Sequence, residues 1–78
     1  SLAIFSIQSL FISKTTDADM ENSETQVWLD FSLSCNYCSK DIYETLLKKS
    51  EEVGRLLNHM VANPEKYLRS NEKFKDIP

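Results

Sequence analysis

Ser23-Glu24-Thr25-Gln26-Val27-Trp28-Leu29-Asp30-Phe31 and, after a short polar break, Ser39-Lys40-Asp41-Ile42-Tyr43 decide the fold of this chain. The second segment runs on through Glu51-Glu52-Val53-Gly54-Arg55-Leu56-Leu57-Asn58. Two amphipathic helices and a tight connection are predicted. In the second, about 40–62, Tyr43, Leu47, Ser50, Gly54, Leu57 and Val61 recur in alternating steps of four and three. Ile42, Leu46, Val53, Leu56 and Met60 lie beside them and widen the stripe into one broad apolar face. Asp41, Glu44, Lys48, Glu52, Arg55 and His59 take the opposite face. Glu44–Lys48 and Glu51–Arg55 place acid before base at i,i+4, worth about 0.2–0.5 kcal/mol each. Gly54 inside a helix costs roughly 0.5–1 kcal/mol relative to Ala. With Ser50 one turn away, it makes a shallow patch where another helix can approach closely.

The first helix reads differently. It is expected over about 9–34, weakest around Thr15–Asp19, where Thr and Asp are poor helix formers. At 100° per residue, Met20, Val27, Trp28, Phe31 and Cys35 fall on one side, and Ala18, Leu29 and Leu33 nearly opposite. A surface helix of a monomer needs one apolar stripe, and a helix with two must be covered twice. The expected second cover is another helix of a bundle or another subunit. Between the helices, Asn36 suits a left-handed C-terminal position. Ser39 suits an N-cap, with Asp41 favourable at the positive helix end. So short a loop makes the helices antiparallel neighbours. Asn63-Pro64 ends the second helix or restarts it as a short turn through Leu68, since proline fits a first helical position.

Outside this pair the chain is less regular. Leu2, Ile4, Phe5, Ile7, Leu10, Phe11 and Ile12 point in every direction on a helical wheel, and a strand competes with a helix there. Residues 1–12 are apolar enough to suggest part of a signal peptide, but they have neither a basic start nor a clear small-residue cleavage site. A buried or truncated helical segment is the preferred reading, with a cytoplasmic location. Residues 69–78 form a polar tail.

Composition sets the bounds. Seventy-eight residues make one small domain, with 41% hydrophobic and 27% charged residues. This is too apolar for disorder. One glycine and two prolines suit long helices rather than a turn-rich β fold. A chain this short buries only about 60% of its unfolded surface and needs a staple. Two cysteines cannot supply a disulfide framework, which leaves partner chains. The net charge of -3 is unevenly spread. Residues 1–38 carry Lys14 alone against five acids, and residues 39–78 carry eight bases against seven acids. No stretch reaches the roughly 20 apolar residues of a membrane span.

Chemistry-bearing residues are few. Cys35-Asn36-Tyr37-Cys38 has C-x-x-C spacing, but zinc needs two further ligands, and His59, the one histidine, falls on the polar face. A redox pair would be expected to open a helix in a βαβ unit that this sequence lacks. The two thiols therefore read as small hydrophobes, and a small enzyme or metal protein centred on them is the weakest of three functional readings. Glu24, near the centre of the Met20–Val27–Phe31 stripe, is either a buried acid with a polar partner or a residue where the stripe meets solvent. Lys48, Lys49, Arg55, Lys66 and Arg69 are the candidates for a nucleic-acid surface. Glu44, Glu51, Glu52 and Glu65 largely cancel them, which favours a solvated face.

These segments resemble the bacterial four-helix-bundle family of 23S rRNA intervening-sequence proteins, which includes the accessory protein of diversity-generating retroelements. The resemblance runs from Phe11-Ile12 to about Leu68. It is carried by Glu24 to Leu29, by Tyr37 with Ser39, by Glu51 to Asn58 and by Asn63-Pro64-Glu65-Lys66-Tyr67. It implies that Phe11–Ser34 and Lys40–Val61 correspond to the third and fourth helices of the bundle. Residues 1–10 do not resemble the two helices that precede this region, so the chain resembles a member lacking them. Several members of the family assemble as homopentamers, it has no general enzymatic activity, and its retroelement members bind a reverse transcriptase and nucleic acid.

The expectation is an all-α fold: an antiparallel hairpin or a three-helix up-and-down bundle, resembling part of a four-helix bundle. It is read as a non-enzymatic, cofactor-free interaction module, with an RNA- or nucleoprotein-associated accessory factor as the alternative. The residues expected to pack, within the chain or between copies, are Val27, Trp28, Leu29, Phe31, Leu33, Leu46, Leu47, Val53, Gly54, Leu57 and Met60.

Overall fold

A computed structural model describes residues 2–68, which form three helices. Helix α1 spans Leu2–Ser34, α2 spans Lys40–Ala62 and α3 spans Pro64–Leu68. The two long helices lie antiparallel as a hairpin, and α3 folds back against both. The result is a rod with principal extents of 57 × 16 × 16 Å. The fold is thus the all-α hairpin that the periodicity predicts. The expected tail, with Arg69, lies outside the described residues.

Helix α1 begins well before the expected Ser9 and passes unbroken through Thr15–Asp19. Packing overrides the weak propensity there. Thr15 donates its hydroxyl to the Phe11 carbonyl at 2.7 Å, satisfying the side chain inside the helix. Thr15 is also one of the most buried residues of the rod, at 8% exposure, so packing against the hairpin decides its conformation. The apolar start, where a strand competes in the sequence, simply extends the same helix. Along this start Leu2, Phe5 and Leu10 are exposed, and Ile7 and Gln8 are half-buried.

The connection ends α1 in a Schellman motif. Asn36 adopts φ 60°, the left-handed conformation. Its amide donates to Leu33 O at 3.1 Å, and the Tyr37 amide donates to Ser32 O at 2.8 Å. The apolar contact that accompanies this cap is Tyr37 on Phe31, with ring centroids 6.3 Å apart. Ser39 then starts α2, its hydroxyl accepting the Ile42 amide at 3.2 Å. At the far end Asn63 caps α2 on the His59 carbonyl, through both its backbone and side-chain nitrogens. Buried Pro64 opens α3. Tyr67 of α3 packs on Phe11 of α1 at 6.3 Å.

Candidate functional site

The seam between the long helices follows two matching heptad rows. On α2 it is the predicted row Tyr43, Leu47, Ser50, Gly54, Leu57 and Val61, all half-buried or buried. On α1 it is Thr15, Asp19, Asn22, Gln26, Leu29 and Leu33, again in steps of four and three. Ala18, expected beside Leu29 and Leu33, is exposed instead. The α1 row has a polar centre, a feature that apolar periodicity alone does not reveal. Asn22 Nδ2 donates to the Ser50 carbonyl at 2.9 Å, and the Ser50 hydroxyl donates to Asn22 Oδ1 at 2.8 Å. Gln26 Nε2 donates to that hydroxyl at 3.0 Å. Ser50 is 7% exposed, and among the described residues every buried side-chain polar atom has a partner.

Gly54 lies in this layer. A Cβ there would stand 3.3 Å from Asn22 Nδ2 and 4.0 Å from Asp19 Oδ1. The helix that approaches closely at Ser50 and Gly54 is therefore α1 of the same chain. Two turns of α2 from Ser50 toward the connection, the Tyr43 hydroxyl donates to Asp30 Oδ1 at 2.5 Å. That bond to a carboxylate holds the neutral phenol, so the Tyr43 pKa is raised above its ordinary 10.0, with burial and the Asp30 charge adding to the effect.

The expected packing residues divide into two sets. Leu29, Leu33, Leu47, Gly54, Leu57 and Met60 are half-buried in the hairpin. Val27, Trp28, Phe31, Leu46 and Val53 remain exposed. No hydrophobic residue among those described is fully buried. On α1, Met20 (60% exposed), Val27 (66%), Trp28 (65%) and Phe31 (51%) form one face. Trp28 and Phe31 meet edge-on, centroids 6.0 Å apart at 86°. By helical geometry this face points almost directly away from the seam. On α2, Ile42, Leu46, Val53 and Leu56 are exposed along one flank. Beside them a largely apolar open hollow of about 310 Å³ is lined by Asp41, Ile42, Thr45 and Leu46.

The other candidates fall as follows. Glu24 is exposed on the outward face of α1, which decides between its two readings in favour of solvent. Cys35 is exposed, Cys38 is half-buried and both are free thiols. Among the described residues no group of three His, Cys, Asp or Glu side chains could hold a metal. His59 is exposed on α2, its ring Nδ1 against the Tyr67 hydroxyl. Lys48, Lys49, Arg55 and Lys66 are exposed, and so are Glu44, Glu51, Glu52 and Glu65. No helix among the described residues is long and apolar enough to cross a membrane. Comparison with protein-family models, with curated proteins and with solved structures finds no match to this chain.

Proposed function

We propose that this protein is a non-enzymatic helical interaction module that completes its hydrophobic core by assembling with further copies of itself. The observation that carries this reading is the outward face of α1. Met20, Val27, Trp28 and Phe31 are each at least half exposed in the protomer. Burying apolar surface is worth roughly 25 cal/mol per Å², and a contiguous apolar face of large side chains marks an interaction site. Kinship with the bundle family that the sequence resembles, whose members include homopentamers, is part of the same proposal and suggests five copies. A cytoplasmic location belongs to the same proposal and is checked by cell fractionation.

Charge does not favour the nucleic-acid alternative. Binding a polyanion draws on a concentrated basic surface, whereas Lys48, Lys49 and Arg55 share α2 with exposed Glu44, Glu51 and Glu52. Sedimentation of the purified chain at micromolar concentration tests the proposal. A species of several copies is expected, and a folded, cooperatively unfolding monomer would refute it.

A further inference from the structure

Each long helix carries a second heptad row outside the one used in the hairpin, on the flank of the seam in α2 and on the far side from it in α1. On α2 it is Ile42, Leu46, Lys49, Val53 and Leu56, all exposed. On α1 it is Asp17, Met20, Glu24, Val27 and Phe31, also all exposed. Each row has a charged residue at its middle position, and the two charges are opposite: Glu24 on α1 and Lys49 on α2.

We infer that the α1 face of one copy docks antiparallel on the α2 flank of a second copy, with Glu24 facing Lys49 of the neighbour. The inference deepens the self-assembly reading and rests on it. Within the hairpin, Asp30 meets Tyr43 and Asp19 approaches Gly54. The same antiparallel register between copies sets Met20 against Val53, Glu24 against Lys49, Val27 against Leu46 and Phe31 against Ile42, with Asp17 beside Leu56 at the outer end of the contact. Phe31 and Val27 then arrive at the hollow lined by Ile42, Thr45 and Leu46. Three apolar pairs thus flank or adjoin one ion pair taken out of water.

Charge selects this occupant over the symmetric alternatives. Two α1 faces packed on each other would give Asp17 and Glu24 no base of the row to face in any register, and centred on Glu24 they would oppose that acid to itself. Two α2 flanks would likewise give Lys49 no acid of the row, and centred on Lys49 they would oppose that base to itself. Like charges juxtaposed in an interface are strongly disfavoured. The contact is therefore heterologous, using different surfaces on its two sides, and copies joined by it form a closed ring or an open chain.

Sedimentation velocity of the full chain at micromolar concentration, for the wild type, Glu24→Lys, Lys49→Glu and the double variant, tests the inference. The wild type assembles. Each single variant places like charges in every contact and weakens assembly at least about tenfold. The double variant restores opposite charges across the contact and regains assembly, which a symmetric α1–α1 or α2–α2 contact would not allow. An assembling wild type with a double variant as defective as its parents overturns this contact while leaving self-assembly standing. So does either single variant assembling normally. A monomeric wild type overturns both. Should the single variants unfold on dilution, recovery of helicity and assembly in the double variant is the deciding readout.

Discussion

At the scale of single residues, the polar layer at Asn22, Ser50 and Gly54 sets up a competition of known size. Replacing a mid-helix glycine with alanine gains roughly 0.5–1 kcal/mol from the unfolded chain. Here the added methyl meets Asn22 Nδ2 at 3.3 Å, and that nitrogen is held by its bond to the Ser50 carbonyl. Gly54→Ala alone should therefore show little or no gain in a denaturant melt. In an Asn22→Ala background it should stabilise by about 0.5–1 kcal/mol, because the obstructing amide is gone. Equal effects in the two backgrounds would show that the contact is not felt. Ser39→Ala, which removes the acceptor for the Ile42 amide, should cost about 1 kcal/mol, read from the same melts. Tyr43 gives a pH-dependent signature. Its folded pKa lies above 10.0 because the phenol donates to Asp30. The stabilisation is thus fully present below pH 10 and is lost as pH rises through the raised value. Tyrosinate absorbance should report late titration of Tyr43 in the folded protein. Tyr43→Phe should remove it, along with the extra loss of stability above pH 10.

At the scale of helices, what could be read from sequence was set by which signal dominates locally. The bounds of α2, its Ser39 start and the left-handed Asn36 are all written in side-chain chemistry, and the structure has them. The α2 stripe was likewise visible, because its apolar residues fall on one broad face. The start of α1 was not, because residues 2–12 are apolar all round and give no direction. Nor was the seam row of α1, whose half-buried middle is Asp19, Asn22 and Gln26. Polar side chains in a seam look like solvent-facing ones until a partner is beside them, and that partner, Ser50, lies 28 residues from Asn22. The two-sided character of α1 could be read in advance, but which side the chain covers itself followed only from the pairing with α2. The Tyr67 contacts with Phe11 and His59 depend on α3 turning back at Pro64, and nothing in the spacing announces them.

At the scale of the whole molecule, the protomer is a thin rod whose described residues include no fully buried hydrophobic side chain. If assembly supplies the missing cover, stability and association are one equilibrium. The thermal midpoint should then rise with protein concentration by mass action, and a midpoint independent of concentration would count against the assembly. Trp28 offers a direct optical check, being 65% exposed in the protomer and next to Phe31. Its emission should shift to the blue as concentration rises and the indole leaves water. Trp28→Ala should weaken association by about 2 kcal/mol or more if it is an interface anchor, measured by sedimentation.

The sharp bend at Asn36 guards against another route to dimers. If residues 35–39 became helical, α1 and α2 would fuse into one long straight helix. Each chain would then meet its α2-facing seam only in an exchanged partner, giving a domain-swapped pair. The φ of 60° at Asn36 and the serine cap three residues later both oppose that straightening. Replacing Asn36 and Ser39 together with alanine, the strongest helix former, removes both stops and should populate swapped dimers that separate slowly from the unswapped form on a sizing column.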